Sequence, residues 1–302
     1  MRKVTRTPYG LQVQTALLMG RPHEIAEYTT INEALTDASI VPYQPTSPLL
    51  GMETAEAYDY ATDSQDLRLQ YLCIGHGAHF NVSGATGGVP YTDYYAHESS
   101  DACLFKMIPF VVRPVNNDLS VEQRANYRLR KTMQIDGVLY AAYYARKLNF
   151  DGVIAETTLT TVVNGVKNTT AFTPTINQLK PTPRQINGTN KGSYISVIAP
   201  TQLKFSEQEI TWFKEACELL YGSVNYAIIS EFAYCTGVDK PVTKRYNATG
   251  AATVVNDGVL KEAVAVQVSV HVTDHVALSS SDTEYTQAVD VGATEPLMGI
   301  TL

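Results

Sequence analysis

Val264-Ala265-Val266-Gln267-Val268-Ser269-Val270-His271-Val272 places five valines at strict period two, with small or polar residues between them. Successive side chains of a strand point to opposite faces, and β-branched valine suits a pleated surface, so this stretch reads as a strand with one face in a core. The other face is expected to meet solvent or a partner.

Outward from that strand, hairpin signals recur. Met133-Gln134-Ile135-Asp136-Gly137-Val138-Leu139-Tyr140 sets Asp-Gly between two runs of alternating polarity, and this dipeptide readily takes the positive φ angles of a type I′ turn. Tyr127, Leu129, Lys131, Met133 and Ile135 then share one face, and Arg128, Arg130, Thr132 and Gln134 the other. Val162-Val163-Asn164-Gly165-Val166 and Val254-Val255-Asn256-Asp257-Gly258-Val259 repeat the signal. Further strands are expected at Leu67 to Ile74, Phe110 to Arg113, Tyr194 to Ile198 and Tyr226 to Tyr234.

Helix is scarcer. Ser206-Glu207-Gln208-Glu209 is a capping box, after which Ile210, Phe213, Cys217 and Leu220 fall on one face and Gly222 can close the end. Thr30-Ile31-Asn32-Glu33 and Ser120-Val121-Glu122-Gln123 open two shorter helices on the same logic. The fold class is therefore mainly β (α+β): antiparallel sheets or a β-sandwich with several hairpins and two or three short to medium helices.

Lys180 to Gly192 is rich in Pro, Asn, Gly and Thr and nearly lacks apolar anchors. It is a long exposed loop within one domain, or the boundary (180–192) between two parts. Those parts would be a β-rich 1–180 with the hairpin at 127–148, and an α+β 193–302 with the helix at 207–220 and the strand at 264–272. The small-residue segment Ser279 to Leu302 is expected to be an arm that orders only against a neighbour, with Glu284 to Leu302 as its contact segment.

With 302 residues, 44% of them hydrophobic and 18% charged, the chain belongs to the ordinary globular class and needs no disulfide or metal for a core. Its net charge of -7 argues against a nucleic-acid coat, which needs a basic face. Arg124, Arg128, Arg130 and Lys131 read as the solvated side of a strand or helix. Cys73, Cys103, Cys217 and Cys235 are widely spaced, so reduced, buried thiols are expected. The basic start leads into no apolar run of the signal-peptide kind, and no stretch of eighteen apolar residues suggests a membrane span. The Asn-x-Ser/Thr sequons at Asn81, Asn168, Asn187 and Asn247 then read as by-products of polar turns.

One constellation could carry chemistry. Cys73-Ile74-Gly75-His76-Gly77-Ala78-His79, with His97 and Cys103, supplies thiolate and imidazole ligands of the types that hold zinc, although not at a common zinc spacing. It keeps a zinc-dependent hydrolase in view; the plainer reading is a polar turn around two glycines. Gly75-x-Gly77 and Gly84 to Gly88 lack the strand-then-helix setting of a phosphate loop. His271 and His275 lie too far apart along an extended strand to share a ligand. No nucleophile elbow, metalloprotease helix or nucleotide motif is present, so no enzyme and no cofactor is expected.

Tyrosine is over-represented, nineteen residues against one tryptophan. It buries large amphipathic area at low rotamer cost, which suits interfaces. Tyr91, Tyr94 and Tyr95, with Tyr140, Tyr143 and Tyr144, are the interface candidates. Aromatic loops on a β scaffold also admit a carbohydrate-binding module.

Met107-Ile108-Pro109-Phe110-Val111-Val112-Arg113-Pro114, then Asn126-Tyr127-Arg128-Leu129-Arg130 and the hairpin to Tyr144, resembles tailed-bacteriophage virion proteins in texture. It is most similar to tail and baseplate-wedge components of contractile-tailed phages, over roughly Leu69 to Leu148. The Thr/Asn/Val-rich hairpin at Thr157 to Thr170 fits the same style. The resemblance implies a β-rich structural subunit of the virion, assembled in the host cytoplasm. Its implied partners are copies of itself and other virion structural proteins, without cofactor, membrane or direct nucleic-acid contact. Neck, tail-completion and capsid-associated roles fit the same texture.

Overall fold

A computed structural model describes residues 3–36, 53–82, 91–173, 175–177, 180, 190–246, 251–255, 258–278, 282 and 284–298. The strands are β1 (Lys3–Arg6), β2 (Thr54–Ala55), β3 (Arg68–Gly75), β4 (His79–Val82), β5 (Tyr91–Tyr94), β6 (Met107–Ile108), β7 (Val111–Pro114) and β8 (Tyr127–Ile135). They continue as β9 (Val138–Lys147), β10 (Glu156–Val163), β11 (Val166–Ala171), β12 (Asn190–Phe205), β13 (Ile228–Tyr246), β14 (Ala252–Val254), β15 (Lys261–Ala277) and β16 (Tyr285–Met298). The helices are α1 (Pro8–Met19), α2 (Ile31–Ala34), α3 (Tyr60–Asp63), α4 (Val121–Arg124) and α5 (Glu207–Tyr221). The fold is mainly β.

The chain divides into two units. The larger joins 1–148 to 205–284 and holds a ten-stranded sheet whose central path runs β1-β15-β13-β3-β9-β7, plus the β4–β5 hairpin. The smaller joins 149–204 to 285–302 as a four-stranded sheet ordered β11-β10-β12-β16. The expected boundary at 180–192 is thereby corrected. β10 lies before that segment and β12 after it, and they pair with each other from Glu156↔Ile198 to Thr160↔Tyr194, so the segment connects strands of one sheet. The expected terminal arm is also corrected, since β16 already pairs with β12 and Ser196 and Thr294 share a 2.9 Å hydrogen bond.

Two of the three turn signals make hairpins. Asp136 and Gly137 take φ of 49° and 81° between Ile135 and Val138, and Asn164 and Gly165 take 51° and 79° between Val163 and Val166. The third does not reverse the chain. β14 pairs with β13 at Lys244↔Val254 and β15 pairs with it at Pro241↔Lys261, so the chain runs on in one direction past Gly258; Asn256 and Asp257 lie outside the described residues.

The valine strand departs from its pattern at two places, a register shift between Val270 and Val268 and a bulge at Ala265. Ala265 has φ of 56°, and there β15 sets two residues, Ala265 and Val266, against the one residue Gly237 of β13, between the pairs Thr236↔Gln267 and Val238↔Val264. This bulge reverses the alternation. Val266 and Val268 join the main core with Ala263, while Val264 packs with Val13, Leu67 and Val238. The polar positions of the strand are not left to solvent or a partner as expected: Glu262, Gln267, His271 and Thr273 on β15 are buried by the chain itself.

All three capping boxes form. In α5, Ser206 caps Glu209, Gly222 closes the end at φ 77°, and Ile210, Phe213, Cys217 and Leu220 are buried. The sequence reading missed α1, which Thr7 caps by accepting from the Gly10 N–H, with Pro8 in its first turn and Gly20 closing it. A Cβ on Gly10 would lie 2.7 Å from Ser269 Cα, so glycine there lets α1 approach β15. Leu11, Leu17, Leu18 and Met19 of α1 stay exposed.

Candidate functional site

Glu231 stands near the start of β13 with no exposed surface. Its carboxylate accepts from the backbone N–H of Gly77 at 2.5 Å, Phe105 at 2.7 Å and Lys106 at 3.3 Å, and from His97 Nε2 at 3.0 Å. Four donors use the whole acceptor capacity of a carboxylate. The two glycines of the Gly75-x-Gly77 turn are explained by this approach, because a Cβ at either position would come within 2.8 or 2.9 Å of Glu231 Oε1.

His97 spans two carboxylates, with Nδ1 at 2.9 Å from Asp101 Oδ2 opposite the bond to Glu231. Its ring lies between those of Phe105 and His271, each with a centroid 3.9 Å away and nearly parallel. His271 Nε2 donates to the Asp101 carbonyl at 3.0 Å. Burial, together with the neighbouring His97, pulls His271 down to about 4.

This sealed base holds an aromatic face outward. Tyr95 and Phe105 are 53% and 40% exposed, Phe80 stacks on Tyr95 at 4.4 Å, and Phe105 meets Tyr95 edge-on at 6.2 Å. The Tyr95 N–H donates to the Ala78 carbonyl at 2.8 Å, fixing the β4–β5 hairpin to the glycine turn. His79 meets His275 at 5.7 Å, and Tyr94 lies 6.4 Å from the His275 ring. Beyond the turn, His76 packs on Tyr221, Lys106 lies over the same ring, and Tyr226 extends the group to a half-exposed edge.

The five metal candidates are distributed among separate contacts. Cys73 is in the core, where its thiol is a hydrogen-bond partner of Cys235. Cys103 lies 3.5 Å from the Met107 sulfur, His76 and His79 pack against the rings of Tyr221 and His275, and His97 is bonded to Glu231. Among the described residues no three His, Cys, Asp or Glu side chains converge on a point where a metal ion could sit.

The interface candidates separate as well. Tyr95 is exposed, and Tyr94 and Tyr140 are half-buried. Tyr143 and Tyr144 have no exposed surface, which removes them as contact residues. Their strand β9 is flanked by β3, β7 and β8, and both its faces are covered; Tyr143 donates to Asp118 Oδ1 at 2.8 Å. Of Tyr91, only its place in β5 is described.

The basic cluster read as a solvated face is buried instead. Arg124 pairs with Glu53, Arg130 with Asp118 at 2.8 Å, and Arg128 with Asp239 at 2.7 Å. Burial alone would raise Asp239, but Arg128, Lys147 and Tyr71 outweigh it and hold that carboxyl well below its ordinary range. Lys131 has only 1% of its surface exposed and its ammonium has no hydrogen-bond partner; burial pulls it down to about 8.

Glu231, Asp101, Phe80 and Phe105 were missed in the sequence. The available signal was an acid inside the apolar run Ile228-Ile229-Ser230-Glu231-Phe232-Ala233, where a carboxylate must find donors once buried. No curated protein and no solved structure matches this chain. Residues 1–301 match the profile of a family described as a family of unknown function, DUF7208, and the chain belongs to that family.

Proposed function

We propose that this chain is a non-enzymatic structural subunit that works by packing against copies of itself and other proteins, in the setting its sequence texture resembles: a bacteriophage virion, in its tail or baseplate. The observation that carries the reading is the Phe80–Tyr95–Phe105 face, with Tyr95 and Phe105 exposed, mounted on the buried Glu231–His97 pair whose other end is held by the partly exposed Asp101. A catalytic carboxylate or imidazole needs a free position facing substrate. Glu231 and His97 have neither exposure nor a spare hydrogen-bonding position. What they do is fix loop 97–106 and the glycine turn so that large aromatic surface is presented without rotamer or loop freedom to lose on contact.

The exposed apolar residues of α1 support the same reading. A carbohydrate module is less well supported, because Tyr95 is engaged by Phe80 stacked on it and by Phe105 edge-on, and none of the three lines the groove along α5. The test is a Tyr95→Ala, Phe105→Ala double variant in native mass measurement and in a particle-assembly assay. Lost association with an unchanged melting temperature is expected; full association of a folded double variant would remove the proposal.

A further inference from the structure

Charge is unevenly divided along this chain. Between Glu156 and Glu207 there is no acidic residue, while Lys167, Lys180, Arg184, Lys191 and Lys204 fall in that interval; all thirty acids lie elsewhere. The interval builds most of the smaller unit. Its β10–β11 hairpin ends in an exposed tip, where Val163 and Val166 are 65% and 70% exposed beside Asn164-Gly165, and Lys167 follows on a strand whose six residues are all exposed. β11 is also a sheet edge, unpaired on its outer side within its own sheet.

The larger unit carries a surface of the opposite character. A groove of roughly 670 Å³ runs along α5 to the end of β15. Val224, Ile228, Ala277 and Leu278 supply its apolar part, and Glu207, Glu215, Glu218 and Asp282 supply four carboxylates against the one ammonium of Lys214. Arg113 pairs with Glu215 at 4.0 Å from its own partly exposed position, which still leaves the rim with more carboxylates than cations.

We propose that the β10–β11 hairpin tip of one copy docks in the α5 groove of a second copy, with Val163 and Val166 on the apolar part and Lys167 among the carboxylates. This deepens the packing reading above and rests on it, since it names one partner as the same chain. Apolar residues at the tip match the apolar floor, and the cation-only interval matches the acid-rich rim. The contact joins two different surfaces, so it is heterologous and repeats from copy to copy, giving a closed ring or an open stack. Self-pairing of the negative chain is opposed by its net charge everywhere except where such segregation brings opposite signs together.

The experiment is sedimentation or mass photometry of the full chain through the micromolar range at low and high salt. The variants are Lys167→Glu, a Glu215→Lys with Glu218→Lys double, and a one-to-one mixture of the two, each checked for unchanged circular dichroism. The proposal expects wild-type association that weakens with salt, about tenfold weaker association for each variant alone, and recovery in the mixture, where an acidic hairpin meets a basic groove. Association untouched by both charge variants but lost in Tyr95→Ala, Phe105→Ala overturns this contact while leaving the packing reading in place. A wild-type chain that stays monomeric, or a hairpin that docks on its own groove and so changes melting but not mass, overturns it as well.

Discussion

Glu231 and His97, 134 residues apart in the chain, meet at 3.0 Å in the interior, and every other acceptor position of that carboxylate is taken by a backbone N–H. The pair closes loop 97–106 over β13.

Replacing Glu231 by Gln keeps the shape but turns one end of the side chain from acceptor to donor, facing N–H groups. A loss of about 2–4 kcal/mol is expected, because breaking one partner of a buried charged network leaves the rest unsatisfied. Urea unfolding measures it. The aromatic face should loosen in step, read as faster hydrogen exchange at Tyr95 and Phe105.

Gly77→Ala should be destabilising by about 1–3 kcal/mol, as overpacking against a fixed neighbour is. The new methyl would sit 2.7 Å from Phe105 Cβ and 2.9 Å from both Glu231 Oε1 and Lys106 N. Gly152, with open space around its Cβ position but φ of 76°, is the control, costing about 1 kcal/mol from backbone strain alone. Equal melting temperatures for the two variants would show that close approach to Glu231 is not what glycine provides.

His271 and His76 are both lowered to about 4, first by burial and then by the neighbouring His97 and Lys106 respectively. Each is neutral in the fold and ordinarily titrates at 6.5. The unfolded chain therefore binds protons first as pH falls, so the stabilisation is complete above 6.5 and is lost progressively between 6.5 and 4. Melting temperature measured across that window should fall, and His271→Asn should flatten the slope.

Lys131→Met is expected to stabilise the fold by about 1–3 kcal/mol at neutral pH, because it exchanges an unpartnered buried ammonium for an apolar chain of similar length. The sign can be checked by pH. Lys131 is lowered to about 8 from 10.5, so the wild-type penalty is full below 8 and fades as pH rises to 10.5. The advantage of the variant should shrink over the same range; a constant or negative difference would show that the ammonium is satisfied.

Local signals survived well in this chain. The capping boxes at Thr30, Ser120 and Ser206 and the turns at Asp136-Gly137 and Asn164-Gly165 formed because their information lies within four residues. The same Asp-Gly chemistry at 257–258 misled, since whether a chain reverses there depends on where β13 offers its next pairing positions. Tyr143 and Arg130 illustrate the larger loss. Polar alternation predicted solvent for one face of β8 and contact surface for β9, yet Asp118 reaches both residues and makes that face interior. Nothing near either residue in sequence announces Asp118 as their partner. The candidate site was half legible: the glycine turn, His97 and Tyr95 stood out, but the carboxylate that joins them lies on a strand more than a hundred residues later.

The order in which a ribosome delivers this chain gives β16 a particular role. The strand that borders β12 emerges only after every residue of the larger unit has been made. Until then β12 has backbone donors and acceptors with no neighbour on that side, a surface that invites strands from other nascent chains. Completion of the smaller sheet is thus coupled to late synthesis, and a product cut short before Tyr285 would be sticky rather than merely shorter.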